Sequence, residues 1–276
     1  MRHLTVEVAD LTPGTRLLAP VGMATPDGAV AGVRVMTGGR IKGVALEAEL
    51  GLAALQIEAA GGPLTLSHVI TPEGMNYPEA VFAPRVTPYT IAAEALAQAS
   101  VEAAHASGGG MAGIAALVAE AEARFAYAHP EHRFNDGTEA VPYLSCGTTP
   151  GSCVDINTYL IASLRAAGYE AGYLYGYFFP AEKGGVTHDM HCWVVTRHDG
   201  DVQHWDIAHH MKAGLGPTRA GLNPRPGWRV ALGHSMGHVY QQGGEALRLK
   251  LLVEPVAVTG GGTCRDVAIV ARLTAP

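Results

Sequence analysis

The chain reads as an α+β protein, and three features of the sequence say so. The N-terminal part is rich in short alternating segments such as "LTVEV" and "LQIEAAGGPLTLSHVI", the pattern of strands with one buried face. The middle then turns Ala-rich and helical, in "IAAEALAQASVEAAHA" and "MAGIAALVAEAEARFAY". Strand-like segments return after residue 170, in "EAGYLYGYFFP" and "MHCWVVT". Runs of strands followed by helices, rather than strict alternation, point to α+β instead of a doubly wound parallel sheet.

Taken in order, residues 1–88 are expected to form a β-rich accessory domain, with "VRVMTGGRIKGVAL" supplying two short strands around a Gly-Gly turn. "NYPEAVFAPRVTPYT" carries three prolines and reads as a linker. Residues 89–276 then form a second domain. It opens with the two Ala-rich helices, which are separated by a Gly-Gly-Gly break. A loop follows, then "SCVDINTYLIASLRAAG", then the aromatic strand and "MHCWVVTRHDGDVQHWDIAHH". "ALRLKLLVEPVAV" and "DVAIVARLT" read as two closing strands.

The composition narrows the function. Of 276 residues, 48% are hydrophobic and 16% charged, the balance of a globular domain with a real core. The net charge of -6 and the lack of a Lys/Arg stripe argue against a nucleic-acid partner. No apolar run approaches the roughly 20 residues of a membrane span. "MRHLTVEVADLTPG" lacks the apolar segment of a signal peptide, so the expected location is the cytoplasm. There the four cysteines should be thiols, and without a CxxC pair a structural zinc ribbon is not expected.

"CGTTPGSCVDINTYLIASLRAAG" holds two of those cysteines, Cys146 and Cys153. Ser152 is a good N-cap residue, Asp155 stands where a capping-box acid belongs, and Gly168 supplies a terminator. Ile156, Tyr159, Leu160, Ser163, Leu164 and Ala167 fall on one helical stripe. Cys153 therefore opens a helix at the positive end of its dipole, which favours thiolate. An oxyanion formed there could rest against the N–H of Cys153 itself. A buried structural cysteine fits the same position, and only a nearby base favours a nucleophile.

The base is sought by register, because 13 histidines make proximity in sequence uninformative. Asp199-Gly200 is a strong type I′ hairpin turn. A two-residue loop there pairs His198 with Asp201, Val195 with His204 and Trp193 with Asp206. His191 then shares a face with Trp193 and Asp206, with Asp206 as its diagonal neighbour at roughly 7–8 Å between Cα atoms. His188 has the opposite parity, and Cys192 points away from His191.

These residues resemble the transglutaminase-like superfamily of cysteine hydrolases. "GSCVDINTYLIASLRAAGYEAGYLYGY", "HCW" and "HWD" carry the resemblance, over roughly Ile114 to Ile207. It implies a papain-like core, with the Cys on a central helix packed on an antiparallel sheet. It also implies Cys153 as nucleophile, His191 as base and Asp206 as its orienter. Tyr143 is a candidate second oxyanion donor beside the Cys153 N–H. Cys146, Trp193, Tyr177 and His234 are candidates for the substrate pocket. Two positions depart from the family: Gly172 stands where Arg is frequent, and Asp206-Ile207-Ala208 replaces Asp-Pro-Thr.

The expected function is cysteine-dependent acyl transfer on a peptide or small amide, ending in hydrolysis, with no cofactor. Transfer to an amine is the alternative on the same triad. Two other classes compete. One is a metal site built from His188, His191, His204, His209, His210, His234 and His238, in which "HSMGH" would place His234 and His238 one helical turn apart. The other is a non-catalytic binding module on the same fold. The oligomeric state, including a homo-oligomer, is left open by the sequence.

Overall fold

Seven strands between Arg2 and Thr71 realise the alternation of the N-terminal region. The computed structural model describes residues 1–221 and 223–274. The Gly-Gly stretches do more than close hairpins. The strand Gly28–Thr37 pairs with Gly62–Thr71 in one sheet, whereas Gly39–Glu47 pairs with Leu52–Ala59 in another. Gly38, at φ +78°, is thus a corner where the chain leaves one sheet for the next, and a Cβ there would collide with the Pro63 carbonyl oxygen. Gly61 and Gly62 turn the chain back in the same way, both at positive φ.

The division of the chain differs from a single boundary near residue 88. One compact unit comprises 1–80, 175–191 and 226–276, and the other comprises 81–174 and 192–225. In the first unit the C-terminal strands complete the N-terminal sheets. Ile269–Thr274 pairs with Arg2–Leu11, and Val256–Val258 pairs with Arg16–Pro20. Leu4, Val6, Leu17, Ile57, Leu64 and Leu66 pack with Tyr177, Phe179 and Leu232 in a common core. A strand edge left unpaired at either sheet invites association, so sealing it with the chain's own C-terminus is physically favoured.

The second unit holds the helices. Three of them, α1 (Glu94–Ala106), α2 (Gly110–Arg124) and α3 (Cys153–Ala166), pack on one another. The Gly108-Gly109-Gly110 break between α1 and α2 has all three residues at positive φ. In this unit the strands Asp201–Trp205, Met190–His198 and Glu170–Pro180 are neighbours in that order. The division of the chain falls after Leu174 in Glu170–Pro180 and after His191 in Met190–His198.

α3 is buried far more completely than an amphipathic stripe predicts. Every residue from Cys153 to Leu164 is buried, including Asp155, Asn157, Thr158 and Ser163. A helix buried all round must satisfy its polar side chains internally. Ser163 donates to the Tyr159 carbonyl at 2.9 Å, and Asn157 donates across to the neighbouring strand.

Candidate functional site

The start of α3 is fixed as its sequence directs. Ser152 is the N-cap, with extended backbone, and its hydroxyl accepts from the Val154 N–H at 3.3 Å. Asp155 Oδ2 in turn accepts from the Ser152 N–H at 2.8 Å and from its hydroxyl at 2.7 Å. This reciprocal cap contributes roughly 1 kcal/mol and sets Cys153 as the first helical residue, 6% exposed. Arg133, from the loop before the helix, reaches the same acid. Its Nη1 lies 3.0 Å from Asp155 Oδ2, 3.2 Å from Oδ1 and 3.2 Å from Ser152 Oγ. No motif marked Arg133 in the sequence, because the contact closes over 22 positions.

Across from α3 lies the strand Met190–His198. Asn157 Nδ2 donates to the Cys192 carbonyl at 3.0 Å and to its Sγ at 3.4 Å. Burial pushes the Cys192 thiol well up, and a hydrogen bond with the Cys153 thiol adds to that rise. Cys192 is therefore a neutral thiol in contact with Cys153, a partnership that alternation along the strand did not reveal. Tyr173, on the adjacent strand, faces both sulfurs; burial first, and then their nearness, raises its phenol well above the ordinary value. His191 directly precedes Cys192. It is buried, with its ring 6.2 Å from that of Phe178.

The hairpin after His191 has the expected register. Asp199 and Gly200 both have positive φ, as a type I′ turn requires. His198 pairs with Asp201, Val195 with His204 and Val194 with Trp205. The strand stops at Trp205, however, whose indole N–H donates to Thr196 Oγ1 at 2.9 Å. Asp206 is not a strand residue; it is the N-cap of a short helix, α4 (Ile207–Ala213). Its Oδ1 accepts from the His209 N–H at 3.0 Å, and its Oδ2 lies 2.9 Å from His209 Nδ1. The His210 ring bonds the Asp206 carbonyl at 2.9 Å. Sequence reading gave His209 and His210 no place at Asp206, because it continued the strand through Ile207.

The remaining candidates fall as follows. Tyr143 is half-buried, with its hydroxyl 3.3 Å from Arg124 Nη2 and the guanidinium over its ring. Cys146 is exposed on its loop. Trp193 and Tyr177 are buried, and Tyr177 belongs to the core of the first unit rather than to a surface cleft. His234 is also interior, with Nδ1 on Ser235 Oγ at 3.0 Å and Nε2 on the Leu50 carbonyl at 3.2 Å. "HSMGH" is not a helix: Gly227–His234 and His238–Gln242 are strands, joined through Ser235 at φ +65°. Helical zinc spacing is thereby ruled out for that pair. His188 is exposed and precedes its strand.

Gly172 explains one departure from the family pattern. A Cβ there would collide with Val81 Cγ1 and lie 3.1 Å from Val195 Cγ2, so no side chain fits. The guanidinium of Arg165 comes to the same place from the end of α3. It donates to the Ala171 carbonyl at 2.9 and 3.1 Å and to the Val81 carbonyl at 3.4 Å.

A helix that opens on a cysteine, packed on an antiparallel sheet with a histidine on one strand and an aspartate just past the end of its hairpin partner, defines a papain-like α+β core. Residues 94–206 match the family model of the transglutaminase-like superfamily. The whole chain is similar in fold to a candidate cysteine protease from Cytophaga hutchinsonii, with 11% identity, a TM-score of 0.51, and coverage of 99% of this chain and 97% of that one. The periplasmic domain of TgpA from Pseudomonas aeruginosa, bound to ethylmercury, is a more distant match. It has 16% identity, a TM-score of 0.38, and coverage of 75% and 76%. No curated protein matches the chain.

Proposed function

We propose that this transglutaminase-like core carries out cysteine-dependent acyl transfer on a peptide or small amide, and that the acyl group passes to water. The observation that carries the reading is Cys153 at the first position of a fully capped, buried helix. Thiolate is favoured there by the helix N-terminus, and the Cys153 N–H is the donor proposed for an incipient oxyanion.

In this reading His191 accepts the Cys153 proton, and the thiolate attacks the amide carbonyl. His191 then protonates the leaving amine and a thioester remains. Water, deprotonated by His191, releases the acid and regenerates the thiol. Asp206 fixes the ring and stabilises imidazolium, the part a carboxylate plays in such triads. Cys192, held as a neutral thiol, is not the nucleophile. The fold shared with a candidate cysteine protease supports water rather than an amine as the acceptor in this reading. All four cysteines are thiols rather than disulfides, which suits a reducing compartment, and we place the protein in the cytoplasm. Among the described residues no helix is long and apolar enough to cross a membrane.

A screen over peptides and small amides, with and without added primary amine, tests the reading. The expected result is release of free acid by the wild type. Cys153→Ala should retain its fold and lose turnover. Amide cleavage that survives in Cys153→Ala removes the proposal.

A further inference from the structure

We propose that Arg133 is a positioning residue for the nucleophile: clamped on Asp155, it cancels the buried charge of the capping-box acid and so lets Cys153 ionise near neutral pH. The inference rests on the reading of Cys153 as nucleophile, and it adds a residue that no motif marks.

Asp155 is wholly buried and stands two residues from Cys153 in the same helical turn. Apart from Arg133, the groups bonded to it are the neutral N–H and O–H of Ser152. Neutral donors satisfy a carboxylate without cancelling its charge, and a second anion so close would be disfavoured. The Arg133 guanidinium meets both carboxylate oxygens, at 3.0 and 3.2 Å. Its own loop is tied down, since the Arg133 N–H donates to Asp136 Oδ2 at 2.8 Å and the Asp136 N–H returns to the Arg133 carbonyl at 3.1 Å.

The other titratable groups that interact with the Cys153 thiol are Cys192 on one strand and Tyr173 on the next. Cys192 and Tyr173 are both held neutral by burial. Asp155 and Arg133 are the charged pair built around the first turn that Cys153 opens. Burial raises the Tyr173 phenol, and the positive charge of Arg133 opposes that rise.

The test is the pH profile of Cys153 alkylation by iodoacetamide, read by peptide mass spectrometry in the full-length protein. Arg133→Met should move the midpoint up by about one pH unit, which slows alkylation about tenfold at neutral pH. Arg133→Lys should stay near wild type. Asp155→Asn keeps an acceptor for the Ser152 N–H and should move the midpoint down. The double variant Arg133→Met with Asp155→Asn should return close to wild type. Loss of the cap alone would leave the double variant with Arg133→Met, and that result overturns the proposal. An unmoved midpoint in Arg133→Met overturns it as well. Should Arg133→Met fail to fold, Asp155→Asn decides: a downward shift supports the proposal and an unmoved or raised midpoint overturns it. Amide turnover in the same samples keeps the two readings apart. A wild type without turnover but with the expected alkylation series removes the hydrolase reading and leaves this one standing.

Discussion

Asp206 Oδ2 lies 2.9 Å from Nδ1 of His209, a residue of α4 that follows it by three positions. The acid proposed to orient the catalytic histidine thus also holds a second imidazole, and the two histidines make different predictions. His191→Ala should lower amide turnover by about 10³-fold or more, the cost of removing a base that is also the acid for the leaving group. His209→Ala should lower it by less than about tenfold. The reverse order of effects in steady-state kinetics would transfer the base role to His209.

Asp206 combines two functions, as N-cap of α4 and as the charge behind the histidine. Asp206→Asn keeps the capping acceptor and loses the charge, so unfolding by urea should shift little while turnover falls by about 10²–10⁴-fold. Asp206→Ala should add roughly 1 kcal/mol of lost stability. Equal activity in the wild type and Asp206→Asn would remove Asp206 from the triad.

Gly172 leaves no room for a side chain against Val81 and Val195. Gly172→Ala should cost about 1–3 kcal/mol through overpacking, read as a lower urea midpoint. Gly172→Arg, the residue frequent in the family, should fail to accumulate as folded protein. A stable Gly172→Arg variant would show that the strand Glu170–Pro180 shifts to admit it.

Glu254 sets a pH dependence of stability. Burial, with Asp266 and Asp189 nearby, raises its carboxyl from 4.5 to about 7. Because the folded-state value lies above the unfolded one, the folded protein binds the extra proton. The stabilisation from this group is therefore complete below about pH 4.5 and fades as pH rises through about 7. Glu254→Gln, which mimics the protonated form, should gain stability relative to the wild type between pH 5 and pH 8 by chemical denaturation. A difference that stays flat over that range would contradict the burial of a titrating carboxyl.

The sequence made local features legible wherever a short-range rule determines them. The Ser152–Asp155 cap and the register of the Asp199-Gly200 hairpin follow from rules that act within a few residues. Features set by distant packing were not legible. A stripe along α3 was visible, yet the helix is buried all round because α1, α2 and the sheet enclose it. Gly38 reads as a turn in any sequence, and only the pairing of its two strands with different partners makes it a corner. The interleaved units depend on pairing between the first and last strands, a contact across almost the whole chain. Asp206 was misplaced on a strand because "HWDIAHH" alternates well enough to extend one, while its side chain starts a helix instead. Arg133 and Cys192 lie beside Cys153 only in the folded chain.

The most direct measurement of the central claim is mass analysis of the acyl-enzyme. The protein is mixed with a reactive acyl donor chosen from its amide substrates, quenched in acid within the first turnover and digested. The account predicts an adduct of the acyl mass on the Cys153 peptide, released by hydroxylamine and absent from Cys153→Ala. An adduct on another residue, or turnover without any adduct and undiminished in Cys153→Ala, would contradict it.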